Sequence, residues 1–375
     1  MKKKRYKRLV SSILLTVLLI SIFSITAFAK DGKNNGDVAV PTVSLSPGSY
    51  YKEQTITLNS ATPGVSIYYT TDGSMPTKNS TLYTEPITVN QTTTIKAVAI
   101  RGNVSSKALA VNNGKTNSEI ATFTYTFVTR QDIAKKFLSF TYGTMPYRLY
   151  VPEDYDPAKS YPLVLFLHGG GERGTDNVSQ IMANDGAVIW AAPENQAKHP
   201  AFVLAPQARN VPDGGFGITR DSNNNINLSR VFEFSDDLRT AYEILHHVRA
   251  NYNIDSNRLY STGLSQGGFG TYNLNMAYPN LFAAMIPVAS GGDPTKAHLL
   301  VNKPIWAFHA EDDVIIPVSY ARNIIAAIKD ARGNPIYTEY PKEMQYNHAS
   351  WVPAYENKEM IEWVFQQVKW FWCEN

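Results

Sequence analysis

Residues 263–268 have the sequence Gly263-Leu264-Ser265-Gln266-Gly267-Gly268, which contains the pattern Gly-x-Ser-x-Gly. This pattern is typical of a nucleophile elbow, a sharp turn between a strand and a helix that exposes a serine hydroxyl. Residues 258–262 predict the strand, and residues 269–278 predict the helix, which ends before Pro279. We expect glycine at 263 and 267 because a side chain there would collide with the neighbouring strand or helix.

A serine needs a base to activate it, and the base needs an acid that orients it. After an elbow of this kind, the acid and then a histidine follow in the chain. A predicted buried strand at 304–308 leads into an acidic turn that contains Asp313. Another predicted strand at 336–340 leads into a loop that contains His348. We therefore predict Ser265 as nucleophile, Asp313 as acid and His348 as base.

Two neighbouring residues are alternatives for these roles. Asp312 directly precedes Asp313, and we interpret it as a residue that caps a turn. His309 lies at the end of a predicted strand and precedes the acid, so we interpret it as structural, with the base as its alternative role. The remaining histidines outside the glycine-rich loop are interpreted as helix-face, loop or surface residues: His199, His246, His247 and His298.

A second glycine-rich segment lies upstream of the serine. Residues 161–167 form a near-continuous apolar run, which is typical of a central parallel strand. The run leads into His168-Gly169-Gly170-Gly171-Glu172-Arg173-Gly174. Such glycines allow backbone N–H groups to converge on a negatively charged oxygen. We predict an oxyanion hole formed by the backbone N–H groups of Gly171 and Gln266, and we interpret His168 as a residue that shapes the loop.

Together these residues resemble the α/β-hydrolase superfamily. More narrowly, they resemble its secreted esterase-D-like and predicted-peptidase group, which is related to feruloyl esterases, acetylxylan esterases and polyhydroxybutyrate depolymerases. The similar segments are residues 145–152, 167–174, 253–260, the elbow and 309–317. Ala310 stands where the group usually has glycine. The resemblance implies an α/β-hydrolase fold with Ser265, Asp313 and His348 as the triad.

The order of elements in residues 129–375 agrees with that fold. Helix patterns at 236–252, 319–332 and 359–370 alternate with the predicted strands. Such alternation predicts a mostly parallel sheet with helices on both faces. A glycine- and asparagine-rich stretch at 213–228 predicts a loop over the cleft.

The composition differs in residues 41–128, where apolar and polar residues alternate over short runs. The runs are 55–58, 65–70, 94–100 and 121–127. They predict the half-buried strands of a small antiparallel sandwich. Residues 68–77 and 83–87 resemble the immunoglobulin-like module at the C terminus of chitobiases. We expect Tyr50, Tyr51 and Tyr83 either to be exposed and stack on sugar rings or to fill the sandwich core or a domain interface.

Residues 1–29 have a basic start, an apolar stretch and the small-x-small sequence Ala27-Phe28-Ala29. They predict a signal peptide that is cleaved after Ala29, and hence a secreted, extracellular protein. An uncleaved membrane anchor is the alternative because the apolar stretch is fairly long. Residues 30–40 are predicted to be a polar spacer.

The charge of the chain depends on this signal. The whole chain has a formal net charge of +3, and its first 29 residues hold six Lys or Arg and no Asp or Glu, so the remainder carries −3. A mildly acidic protein has no polybasic attraction to nucleic acid or anionic lipid. The single cysteine, Cys373, excludes an intrachain disulfide. No spacing suggests a metal site or a cofactor.

These observations predict a secreted serine carboxylic-ester hydrolase that acts through an acyl-enzyme. The family resemblance and the sandwich imply acyl or feruloyl esters of plant polysaccharide as substrates. A secreted serine peptidase of the same fold is one alternative, because acyl transfer to water is the same chemistry with an amine leaving group. An exported glycan-binding protein without activity is the second alternative. The sequence leaves the acyl group and the oligomeric state open.

Overall fold

The computed structural model describes residues 37–102 and 115–369. The predicted signal peptide and Cys373 lie outside the described residues. Within residues 37–102 and 115–369, no helix combines the length and the apolar character that crossing a bilayer requires.

The front part of the chain is a small β-sandwich. Its strands are β1 Thr42–Val43, β2 Gly48–Tyr50, β3 Gln54–Ile56, β4 Leu58–Asn59, β5 Val65–Thr70, β6 Thr81–Leu82, β7 Ile87–Val89, β8 Thr93–Arg101 and β9 Ala121–Phe127. Five of them form a sheet in the order β2-β9-β8-β5-β6, while β1 pairs with β4 and β3 with β7. Alternate residues from Thr93 to Ala99 of β8 are buried, as expected for a half-buried strand of the predicted sandwich.

Of the two alternatives for the three tyrosines, exposure for sugar stacking or burial in a core or interface, their contacts fit the second: Tyr50 is buried, and Tyr51 and Tyr83 are half-buried. Tyr50 is 8% exposed and packs against Tyr125 within the sandwich core, and its hydroxyl donates to a backbone carbonyl. Tyr83 packs against the same core. The hydroxyl of Tyr51 donates to the carboxylate of Asp185, 2.6 Å away, in the larger part of the chain. These contacts favour the core and interface interpretation over sugar stacking.

The larger part of the chain contains an eight-stranded sheet and a hairpin. The strands are β10 Leu138–Tyr142, β11 Met145–Tyr150, β12 Tyr161–Leu167, β13 Phe202–Pro206, β14 Ile218–Arg220, β15 Ile226–Arg230, β16 Ile254–Leu264, β17 Ala284–Val288, β18 Trp306–Ala310 and β19 Ile336–Tyr340. The sheet has the order β10-β11-β13-β12-β16-β17-β18-β19. Its pairs from β13 to β19 are parallel, and only the pairs that involve β10 and β11 are antiparallel.

Helices cover this sheet. They are α1 Arg130–Ala134, α2 Ser179–Met182, α3 Pro193–Gln196, α4 Asp236–Asn251, α5 Gln266–Ala277, α6 Ser319–Asp330, α7 Trp351–Glu356 and α8 Lys358–Phe365. In β12, Val164 and Phe166 belong to one hydrophobic core, whereas Leu163, Leu165 and Leu167 belong to another. The first core includes residues of α8 and the second includes residues of α4. Helices therefore pack on both faces, as an α/β-hydrolase fold requires.

Two elements differ from the sequence prediction. The last helix ends at Phe365 rather than at 370, and Val368 is 40% exposed. Beyond the helix, the carbonyl oxygen of Gln367 accepts a hydrogen bond from the Tyr260 hydroxyl, and the backbone N–H of Lys369 donates to the carbonyl oxygen of Asn257 in β16. These bonds to β16 take the place of further helical ones. The predicted loop at 213–228 contains strand β14 and the start of β15, which pair as a hairpin.

The sandwich contacts the larger part through a cluster of charges around Asp185. The Asp185 carboxylate accepts from Tyr51, from Lys52 at 2.5 Å and from Arg130 at 2.8 Å. Burial raises the pKa of Asp185, but the hydrogen bonds from Lys52 and Tyr51 outweigh it and lower the pKa. Glu194 accepts from the backbone N–H groups of Tyr51 and Lys52. A cavity of about 790 Å³ lies beside these contacts, between the two parts and lined by neither Ser265 nor His348.

Candidate active site

Ser265 lies in the turn between β16 and α5, with φ 53° and ψ −119°. This left-handed conformation is strained for a residue that carries a side chain, and such strain is concentrated at functional sites. A Cβ on Gly263 would lie 2.3 Å from the carbonyl oxygen of Gly267. A Cβ on Gly267 would lie 1.9 Å from the carbonyl oxygen of Leu167. The close approach of β12, β16 and α5 therefore excludes side chains at both positions.

The structure brings Ser265, His348 and Asp313 together. The Nε2 atom of His348 lies 2.9 Å from the Ser265 hydroxyl oxygen, and its Nδ1 atom lies 2.7 Å from Oδ2 of Asp313. Because a carboxylate only accepts, Nδ1 carries the proton and Nε2 is free to accept the serine proton. The rings of Trp351 and His348 pack in a T-shaped arrangement, with their centroids 5.1 Å apart. This geometry allows proton transfer from serine to histidine, while the catalytic roles themselves stay predictions.

Asp313 is held by four groups. Besides His348, its carboxylate accepts from the backbone N–H groups of Ile315 and Ile316, each 2.9 Å away, and its Oδ2 lies 3.2 Å from Nε2 of His309. Burial raises the pKa of Asp313, but hydrogen bonds from His309 and His348 and the charge of His348 outweigh burial and lower the pKa to about 2. The acid is therefore ionised throughout the neutral range.

The two alternative residues occupy supporting positions. Nε2 of His309 lies 2.9 Å from the carbonyl oxygen of Ile316, so it carries a proton and donates to the loop that contains Asp313. His309 is fully buried and does not bond to Ser265 in the described part of the chain. Asp312 accepts from the backbone N–H of Asn347, next to His348. Both positions agree with the structural interpretation given to these residues.

The glycine-rich loop lies directly beside the serine. His168 is buried, with its Nδ1 2.7 Å from the carbonyl oxygen of Gly169 and its Nε2 2.9 Å from the N–H of Ala208. Nδ1 therefore carries the proton, and the ring fixes the loop. A Cβ on Gly169 would lie 3.6 Å from the Ser265 Cβ, whereas a Cβ on Gly171 would meet nothing within 4 Å.

Gly169 is thus the glycine that packs against the serine, and sequence reasoning did not single it out. The N–H groups of Gly171 and Gln266 as oxyanion donors stay predictions.

The hairpin β14–β15 contacts both halves of this site. The Gln266 side chain donates to the hydroxyl of Thr219, 3.0 Å away. Arg173 donates to the side chain of Asn224 at the hairpin turn, and Arg220 lies beside Gly170. Sequence reasoning missed the two arginines, although Arg173 lies within the glycine-rich segment. Among the residues that the structure describes, no group of three His, Cys, Asp or Glu side chains is placed to hold a metal ion.

The chain belongs to an esterase family. The family model described as "Putative esterase" matches residues 140–338, and the model described as "Chitobiase/beta-hexosaminidase C-terminal domain" matches residues 45–123. A solved crystal structure of a thermostable esterase is 33% identical, covers 87% of this chain and 92% of its own, and has a TM-score of 0.59. These matches confirm the resemblance inferred from the motifs.

Curated relatives are similar over shorter segments. Poly(3-hydroxyalkanoate) depolymerase C of Paucimonas lemoignei is 32% identical over 160 residues, which are 40% of this chain and 33% of that protein. Probable feruloyl esterase C of Aspergillus niger is 27% identical over 146 residues, which are 39% of this chain and 46% of that protein. The match thus spans a third to a half of these relatives. The family match and the fold together identify residues 140–338 as an esterase domain.

Proposed function

We propose that this esterase is an exported serine hydrolase whose nucleophile is Ser265, with His348 as base and Asp313 as orienting acid. The observation that carries the proposal is the unbroken hydrogen-bonded series from Ser265 through His348 to Asp313, with distances of 2.9 Å and 2.7 Å. The strained backbone of Ser265 supports it, because the turn directs the hydroxyl toward the imidazole. Export rests on the sequence pattern of residues 1–29.

The proposed reaction has two steps. His348 Nε2 takes the proton of Ser265 as the serine oxygen bonds to the ester carbonyl carbon, and the C–O bond to the alcohol then breaks as that proton passes to the leaving oxygen. Water next attacks the acyl-serine, gives its proton to His348, and releases the acid while the serine recovers its proton. Backbone N–H groups of the glycine-rich loop and of Gln266 stabilise the oxyanion in both steps.

For substrates, we propose acyl or feruloyl esters attached to plant polysaccharide. The names of the matched relatives and the type of front sandwich support this choice. The buried or interfacial tyrosines give no support for sugar stacking, so the sandwich is assigned no part in recognising the ester.

The test is hydrolysis of p-nitrophenyl acetate, methyl ferulate and a peptide p-nitroanilide by the wild type and Ser265→Ala. We expect the wild type to cleave both esters and to leave the anilide nearly untouched, and the variant to cleave none. Cleavage of the anilide at the rate of the esters would favour a peptidase. Ester hydrolysis that survives Ser265→Ala would reject the serine mechanism.

A further inference from the structure

Two arginines flank the glycine-rich loop of the proposed active site. Nε of Arg220, at the end of β14, lies 3.8 Å from the point where a Cβ of Gly170 would stand. Arg173 lies on the same loop and donates from Nε to the carbonyl oxygen of Gly170, 3.1 Å away. Gly170 follows Gly169, which packs against Ser265. Both guanidinium groups thus lie beside Gly170, on the loop whose preceding glycine packs against Ser265.

Neither arginine has an acidic partner in the part of the chain that the structure describes. Within residues 37–102 and 115–369, Arg173 donates to backbone carbonyl oxygens and to the Asn224 side chain, and Arg220 donates to the carbonyl oxygen of Asn224. Arg173 is only 9% exposed, and a buried arginine is normally paired with an acid. Arg220 is half-buried, and its Nε and NH2 have no acceptor among the described residues.

The two arginines also lie close enough to each other for their positive charges to interact. Burial lowers the pKa of Arg173, and the charge of Arg220 lowers it further, against the opposing charge of Asp237. The two guanidinium groups are therefore close enough to repel each other, and partial burial weakens the screening by water. The Glu172 carboxylate does not relieve them, because it lies against Gly169 and His168 and pairs with neither arginine.

The same hairpin provides an internal comparison. Arg230, in β15, forms ion pairs with Glu233 and Asp213, each at 2.7 Å. Arg230 is thus neutralised by acidic partners at the surface, whereas Arg220 lies beside the glycine-rich loop and forms no ion pair with the described residues. An anion bound at the second arginine would supply the missing counter-charge.

We propose that Arg220, backed by Arg173, binds a carboxylate that the ester substrate carries near its reacting carbonyl. This inference rests on the proposed function, because it places the anion beside the ester that Ser265 attacks. A guanidinium matches a carboxylate in shape and can donate two parallel hydrogen bonds to it. The carboxylate can belong to a uronic acid of a polysaccharide or to the free acid end of an oligoester, which present the same chemistry to Arg220.

The primary test uses two substrates of equal length that differ in charge: mono-4-nitrophenyl adipate and methyl 4-nitrophenyl adipate. We expect the wild type to prefer the anionic ester, and added salt to weaken that preference. Arg220→Gln should lower kcat/KM for the anionic ester about 10-fold or more, because it removes a charge-assisted hydrogen bond. It should change the neutral ester less than about threefold, and Arg220→Lys should restore part of the anionic preference.

Arg230→Gln is the matched control, since it removes a positive charge from the same hairpin without touching the loop. It should leave the ratio of the two kcat/KM values unchanged. Adipate should inhibit hydrolysis of the neutral ester by the wild type more strongly than adipamide, a measurement that needs no variant. The proposal would be overturned if Arg220→Gln lowered kcat/KM equally for the anionic and the neutral ester. It would also be overturned if the wild type showed no preference for the anionic ester and adipate and adipamide inhibited it equally.

Two further substrate pairs identify the source of the carboxylate. One is acetylated galacturonic acid against acetylated galactose, and the other is the 3-hydroxybutyrate dimer against its methyl ester. If Arg220→Gln removes the preference for the anionic member of one pair, that pair identifies the source of the carboxylate. If it alters the preference in neither pair, the assignment to these substrates is overturned. Neutral-ester hydrolysis that survives Ser265→Ala would instead reject the proposed function, so the two failures are distinguishable.

Discussion

His309 and His348 approach the same oxygen of one carboxylate. Oδ2 of Asp313 lies 2.7 Å from Nδ1 of His348 and 3.2 Å from Nε2 of His309. Only His348 extends the series to Ser265, whereas His309 also contacts the carbonyl oxygen of Ile316. One histidine is therefore placed to move a proton, and the other is placed to hold the acid.

This difference predicts unequal effects of replacing the two histidines. His348→Ala should lower kcat on a small ester by a factor on the order of 10⁶, as removal of a triad member does. His309→Gln should lower it no more than roughly 100-fold, because it alters one hydrogen bond to a charged acceptor. Steady-state kinetics of both purified variants, with circular dichroism as the control for folding, measures the difference. A larger loss from His309→Gln would mean that the base is misplaced.

Ser265→Ala should abolish ester turnover without unfolding the protein. The expected loss in kcat is on the order of 10⁶, which leaves only the contributions of substrate binding and the oxyanion hole. The melting temperature should change little, since the substitution removes one half-buried hydroxyl. Active-site titration with a fluorophosphonate offers a second readout: the wild type should be labelled and the variant should not. A folded variant that keeps most of its activity would contradict the assignment.

The two glycine-rich segments should tolerate alanine very differently. Gly267→Ala would place a Cβ 1.9 Å from the backbone of Leu167, so we expect a loss of more than about 4 kcal/mol in the free energy of unfolding, or no folded protein. Gly171→Ala is the control, because its Cβ meets nothing within 4 Å and its backbone N–H remains. Chemical denaturation of both variants tests this, and a stable Gly267→Ala would contradict the close approach of β12 and α5.

His168 should make stability depend on pH. Burial lowers its pKa from 6.5 to about 4, more than its hydrogen bond to Gly169 raises it. Between these values the unfolded chain binds a proton there and the folded chain does not, so the stabilisation present above pH 6.5 is lost as pH falls toward 4. The loss amounts to about 3 kcal/mol.

Urea denaturation from pH 7 to pH 4 measures this dependence. His168→Gln is the matched variant because glutamine does not titrate, and its stability should fall about 3 kcal/mol less over the same range. Parallel curves for the two proteins would mean that the pKa of His168 is the same in the folded and unfolded chains, which would contradict the lowered pKa.

A chain that begins at Thr129 should still hydrolyse small esters. Every proposed catalytic residue follows that point, and Thr129 caps α1 through the backbone N–H of Asp132. In this truncated chain Asp185 would lose its contacts with Tyr51 and Lys52 but keep that with Arg130. We therefore expect its melting temperature to be several degrees below that of the full-length protein, and its kcat/KM to stay within about threefold of the full-length value. Lys52→Met in the full-length chain should reproduce part of the destabilisation. A well-folded truncation without small-ester activity would show that the sandwich contributes to the active site.

Local patterns in the sequence were enough to predict the fold class and the residues that meet in the site. The apolar run of β12 predicted a central strand, because both faces of a parallel sheet are covered by helices. The glycine spacing around Ser265 predicted the elbow, because only glycine fits at the two crowded positions of that turn. Patterns failed where a contact to a distant segment overrode the local preference. The helix that was expected to reach residue 370 ends at Phe365, because hydrogen bonds to the chain around β16 replace its own.

The order of residues along the chain established which strands, turns and candidate side chains are present, because strand periodicity and turn chemistry act between near neighbours. Which of these side chains touch depends on the packing of the folded chain: His348 is 83 residues from Ser265 in sequence, yet its Nε2 lies 2.9 Å from the serine hydroxyl oxygen. The same packing places His309 against the Asp313 carboxylate, Tyr51 against Asp185, and Arg220 beside Gly170. These contacts join segments that are distant in sequence. Neighbouring residues cannot predict them, because a hydrogen bond forms, or a charge stays unpaired, only after the sheet and its loops have packed together.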